Sequence, residues 1–171
     1  KKIVLHGGVT EIGDKAFRDW RGLAEVVFAG RSSLGRVGAL AFAGTALETF
    51  VAPDSLRLIG PGAFLGCKSL REVRLNEGLQ SLGGEGEGAF QDSGVRAVYV
   101  PSTLQRFWKQ TFAGCRALKR VEVAEGCRLG LRQFLPQGVQ IVVSADAPPV
   151  DGESGTECDR SQTDSIAVAS Q

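Results

Sequence analysis

The residue with the clearest chemical potential is Cys67, in the stretch GPGAFLGCKSL (60–70), directly before Lys68. A thiol beside a positive charge can be held as a thiolate and act as a nucleophile. Such a nucleophile needs a base close by, usually histidine. The sequence has one histidine, His6, near the start of the chain. A small apolar thiol is also one of the side chains most often buried and inert. Cys67 is therefore expected to fill core space, and the chain is read as having no catalytic residues. Cys115 lies in the related stretch QTFAGCRAL (110–118), with Cys127 and Cys158 beyond it. The spacing of the four cysteines matches no CxxC metal or redox motif, and no metal site is expected. Cys127 is expected in the core or a loop, and Cys158 is the thiol expected to react freely.

GGEGEG (83–88) has the look of a phosphate-binding loop, but no GK[ST] follows and Glu85 and Glu87 would repel phosphate. Two carboxylates also fall short of the roughly 6–8 oxygens that calcium takes. The stretch reads as a loop insertion, and no cofactor is expected.

These residues must be positioned by a repeating element. An aromatic anchor recurs at Phe17, Phe42, Phe64, Phe90 and Phe112, with a weaker sixth at Phe134; the steps are 25, 22, 26, 22 and 22 residues. A second apolar residue stands five before most anchors: Ile12, Val37, Ile59, Phe107 and Leu129. In the fourth repeat it is Leu82, eight before Phe90, because GGEGEG intervenes. After each anchor comes an alternating apolar run: LAEVVF (23–28), LETFVA (47–52), LREVRL (70–75), VRAVYV (95–100) and LKRVEV (118–123). Such alternation marks a half-buried strand. VQIVV (139–143) reads as a degraded sixth copy and IVL (3–5) as the end of an earlier one. A strand recurring about every 23 residues is a solenoid signature, because one unit cannot bury its own apolar face and must stack on its neighbours. Stacked strands lie ~4.8 Å apart. Cys67 and Cys115, two repeats apart, would then be separated by about 10 Å, beyond the ~7 Å Cα separation that a disulfide allows. No disulfide is expected. Trp20 stands where Cys67 and Cys115 stand in their repeats, so it is expected in the core; Trp108, next to the inward Phe107, is expected to be partly exposed.

IGDKAF (12–17), IGPGAFLGCKSLREVRL (59–75) and TFAGCRALKRVEV (111–123) resemble the BspA-like class of leucine-rich repeats, with its pattern IGxxAFxxCxxLxxVxLP. The resemblance covers about 8–143. It implies a β-rich, right-handed superhelix with one parallel strand per repeat and short turns or 3-10 segments elsewhere. It also implies a surface-antigen or adhesion-type role, with a protein or extracellular-matrix partner and a cell-surface or secreted location. Residues 1–143 are expected to form the solenoid, about five full repeats plus partial ends. Residues 144–171 carry six acids against Arg160, and are expected to form an acidic, disordered tail or linker. The sequence has no methionine, its N-terminus starts inside a repeat, and no polar cap closes the array before the tail. The chain is therefore expected to be a fragment of a longer surface protein or, alternatively, a scaffold segment of a regulatory or signalling protein.

The formal net charge of +1 gives no basic surface of the kind that binds nucleic acid. No apolar run approaches the roughly 20 residues of a membrane helix. Binding is expected at eight outward residues of the strand copies: Arg71, Glu72 and Arg74 in the third, Arg96 and Tyr99 in the fourth, where Ala97 also points outward, and Lys119, Arg120 and Glu122 in the fifth. The earlier copies offer Ala24, Glu25, Val27, Glu48, Thr49 and Val51. Tyr99 among arginines has the composition enriched at interface hot spots.

Overall fold

The structure, a computed structural model, describes residues 1–125, 127 and 130–144. The alternating runs form the strands β1 (Lys2–Leu5), β3 (Glu25–Phe28), β5 (Thr49–Val51), β7 (Glu72–Arg74), β9 (Ala97–Val100), β11 (Arg120–Ala124) and β12 (Gln140–Ser144). β1 pairs with β3, and β5, β7, β9, β11 and β12 form a five-stranded parallel sheet in chain order. The Glu48 amide donates to the Ala24 carbonyl at 3.2 Å and carries the ladder from one sheet toward the other. The partial copies at both ends therefore belong to the same stack.

A second sheet accompanies the first. The two-residue strands β2 (Glu11–Ile12), β4 (Arg36–Val37), β6 (Leu58–Ile59), β8 (Ser81–Leu82) and β10 (Arg106–Phe107) pair in parallel, again in chain order. The apolar residue before each anchor is the inward member of each of these short strands. GGEGEG lies between β8 and the Phe90 turn as a loop, leaving the ladder on either side intact.

The anchors form the third side. Phe17, Phe42, Phe64, Phe90 and Phe112 stack in one column, with ring centroids 5.3, 5.4, 5.2 and 5.7 Å apart and interplanar angles of 9–16°. Offset stacking at this separation suits the ring quadrupoles. Backbone bonds fix the spacing: Phe17, Phe42, Phe64 and Phe90 each donate an amide to a carbonyl one repeat on, at 2.8–3.0 Å. Two residues after each anchor the chain takes a left-handed conformation, at Asp19, Gly44, Gly66, Asp92 and Gly114 (φ 55–71°). Phe134 ends a 3-10 helix (Leu131–Phe134) and packs on Phe107 at 5.6 Å. Leu129, its expected partner, lies outside the described residues.

Leucines just ahead of the strands and valines within the five-stranded sheet close around this column; Leu23, Leu47, Leu70, Val73, Val98 and Val121 are fully or almost fully buried. Trp20 departs from expectation. Its equivalents Thr45, Cys67, Ser93 and Cys115 are buried. The indole is too large for that slot, and Trp20 lies 36% exposed at the end of the stack, 6.0 Å from the ring of Phe17. Trp108 is half-buried.

Candidate binding face

The slot beside the Phe column decides the fate of the thiols. Cys67 Sγ donates to the Phe42 carbonyl at 3.1 Å and lies 3.4 Å from Thr45 Oγ1. Cys115 repeats the arrangement, with the Phe90 carbonyl at 2.9 Å and Ser93 Oγ at 3.5 Å. Burial raises the pKa of both thiols, and the Thr45 and Ser93 hydroxyls only partly offset it. They are neutral, satisfied core groups at neutral pH, not nucleophiles. Lys68, which looked able to activate Cys67, instead sends its ammonium to the Asp92 carbonyl at 2.5 Å. Cys127 is half-buried and unpaired; Cys158 lies outside the described residues. His6, Glu85 and Glu87 are exposed.

On the five-stranded sheet, successive side chains point to opposite faces. Val73, Val98 and Val121 therefore point inward, and the outer face carries two rows. One row aligns Thr49, Glu72, Ala97, Arg120 and Gln140; the other aligns Val51, Arg74, Tyr99, Glu122 and Val142. Residues two apart on a strand meet on this face. Arg74 Nε lies 3.2 Å from Glu72 Oε1, and Arg120 pairs with the Glu122 carboxylate. The strand charges thus neutralise one another in place. Glu72 and Arg120 are exposed; Arg74 and Glu122 are half-buried.

Tyr99 faces outward, as expected of its position, yet only 5% of it is exposed. Arg74 and Glu122 flank it in register, and its hydroxyl donates to Glu77 Oε1 at 2.8 Å. Glu77 also accepts the Ser102 amide, at 3.2 Å to each oxygen, and the Ser102 hydroxyl at 2.9 Å. Tyr99 forms the floor of a shallow depression of about 260 Å³ with Glu72, Arg74, Ala97, Arg120 and Glu122 around it. That is below the ~300–1,000 Å³ of small-molecule sites, and the shape suits a broad contact.

A third row lies just ahead of the strands. The Arg71 amide donates to the Glu48 carbonyl, Arg96 to Arg71, and Lys119 to Arg96, at 2.7–2.9 Å. These ladder bonds put Glu48, Arg71, Arg96 and Lys119 in one exposed column. The three cations succeed one another at strand spacing, ~4.8 Å. Among the described residues, none of the ion pairs includes Arg71, Arg96 or Lys119. Arg71 instead reaches the Lys68 and Gly94 carbonyls at 3.1 and 3.4 Å. The eight residues expected to bind are therefore brought onto one side of the solenoid. They divide into a self-compensated strand face and an uncompensated cation column.

A family model described as BspA type leucine-rich repeat region matches residues 1–119, in six copies. Among solved structures, the leucine-rich repeat protein of T. pallidum is 26% identical with a TM-score of 0.65, covering 83% of this chain and 72% of its own. A leucine-rich repeat protein from Eubacterium ventriosum is 20% identical with a TM-score of 0.67, covering 74% of this chain. The pneumococcal vaccine antigen PcpA is 23% identical with a TM-score of 0.68, also covering 74% of this chain. The chain spans only 32% and 31% of the lengths of those last two proteins. No curated protein matches the chain significantly.

Proposed function

Since the chain belongs to the BspA-type leucine-rich repeat family, we propose that it is a non-catalytic protein-binding module of adhesion type, taking a protein or extracellular-matrix partner on the side formed by the strand face and the cation column. The observation that carries this reading is the column Arg71–Arg96–Lys119. It presents three exposed cations in register, none in an ion pair within the described residues, beside a shallow face too open for a small ligand. Solenoids commonly bind through such an extended face, and rows of like charge steer encounter with a complementary partner. One solved protein of similar fold is named as a vaccine antigen, which is in keeping with a cell-surface or secreted location. Among the described residues no helix is long and apolar enough to cross a membrane. The buried, neutral thiols argue against cysteine-dependent chemistry.

The test is capture by a panel of immobilised extracellular-matrix proteins, comparing the chain with its R71E/R96E/K119E variant. The reading expects salt-sensitive capture that the variant loses while its circular dichroism is retained. Capture unchanged by the substitutions rejects this face. A second reading, a scaffold segment of a larger regulatory or signalling protein, draws on the coverage of about a third of two longer proteins of similar fold; absence of any capture would favour it.

A further inference from the structure

We propose that the acidic segment 145–171 of this same chain docks against the Arg71–Arg96–Lys119 column. The segment holds Asp146, Asp151, Glu153, Glu157, Asp159 and Asp164 against the single cation Arg160, whereas residues 1–143 carry a net charge of +6. The strand face offers this segment little, because Arg74 and Arg120 are already matched by Glu72 and Glu122. The column does, because its cations lie outside the ion pairs of the described residues.

The connection is short enough. The Gln140 amide donates to the Lys119 carbonyl, so the start of β12 lies beside Lys119 and the segment departs from Ser144 at the other end of that strand. Returning along one five-residue strand takes about 17 Å at ~3.3 Å per residue. Seven extended residues, from Ser144 to Asp151, span up to about 25 Å. Asp151 and every acid after it can therefore reach Lys119, and the later ones can reach Arg96 and Arg71. Tethering at this distance gives an effective concentration in the millimolar range, so several weak charge contacts suffice. The docking stands whether or not an outside partner uses the same column; where one does, the segment competes with it.

Cys158 provides the probe, since Cys67 and Cys115 are buried. In the full chain carrying Cys127→Ser, a nitroxide on Cys158 is expected to broaden the amide signals of Arg71, Arg96 and Lys119 at low salt. Raising salt to about 0.5 M, where the screening length falls to a few ångströms, should restore them. In R71E/R96E/K119E, or in R71Q/R96Q/K119Q should charge reversal perturb the fold, the low-salt broadening should disappear from the column. Broadening that is absent, insensitive to salt, or confined to another face overturns the proposal. Failure of matrix capture leaves this experiment untouched, and the two ideas fall separately.

Discussion

The Tyr99 hydroxyl donates to Glu77 Oε1 at 2.8 Å across 22 residues of sequence. Glu77 lies in the turn after β7 and Tyr99 in β9, so the bond ties one repeat's turn to the next repeat's strand. The same carboxylate caps the Ser102 amide and hydroxyl. Tyr99 is thereby a component of the face's architecture, and its ring offers a partner little area. Tyr99→Phe should cost about 1 kcal/mol in urea denaturation, near the low end for a charge-assisted bond because Glu77 is solvated. Glu77→Gln should cost at least as much, since Ser102 also weakens. A double-mutant cycle between the two should show coupling; additive losses would mean that the bond contributes nothing.

The phenylalanine column predicts a gradient along the solenoid. Phe64 is fully buried between Phe42 and Phe90, whereas Phe17 is half-buried at the first turn. Phe64→Ala should destabilise by about 3–5 kcal/mol, the range for truncating a core aromatic. Phe17→Ala should lose distinctly less, since part of its surface already faces water. Equal losses in urea denaturation would show that the column does not transmit packing along its length.

The thiol slot makes a pH prediction. Burial raises the pKa of Cys67 and Cys115 in the folded chain, whereas an unfolded thiol ionises near ~8.5. Below that pH both states hold the proton and the thiols' stabilisation is complete. Above it the unfolded state loses protons first, so stability falls as pH rises toward the folded values. The urea midpoint should therefore drop between about pH 7.5 and 10. The C67S/C115S double variant should drop less, serine being the natural occupant of the same slot at Ser93. The informative quantity is the difference between the two slopes. Parallel slopes would show that the thiols ionise alike in both states.

The repeat was legible because its largest features recur in one register: an anchor every 22–26 residues and an alternating strand behind it. The second sheet was not, since strands of two residues are too short to display a period of two. Only their inward members, such as Val37 and Ile59, left a trace. The eight residues expected to bind were legible as outward positions, yet their pairing was not. That Glu72 neutralises Arg74, and that Glu77 covers the Tyr99 hydroxyl from the preceding repeat, depends on side-chain reach. Trp20 was misplaced because register fixes a position and says nothing of whether the side chain fits it.

Two residues after the anchors the chain reads Asp19, Gly44, Gly66, Asp92, Gly114, all left-handed. Each aspartate is followed one repeat later by glycine, and the geometry explains the order. A Cβ at Gly114 would come within 2.2 Å of Asp92 Oδ1, and one at Gly44 within 2.6 Å of Asp19 Oδ1. At Gly66, which follows a glycine, a Cβ would meet nothing within 4 Å. Left-handed strain alone should cost each Gly→Ala change about 1 kcal/mol or somewhat more. Gly114→Ala should lose more than Gly66→Ala, by the price of displacing the Asp92 carboxylate. Asp92→Gly removes that carboxylate and should rescue Gly114→Ala while leaving Gly66→Ala unchanged. Urea denaturation of the three single variants and of the D92G/G114A and D92G/G66A pairs measures this. Losses at Gly66 and Gly114 that match, with no rescue, would show that the column of turns is insensitive to its side chains.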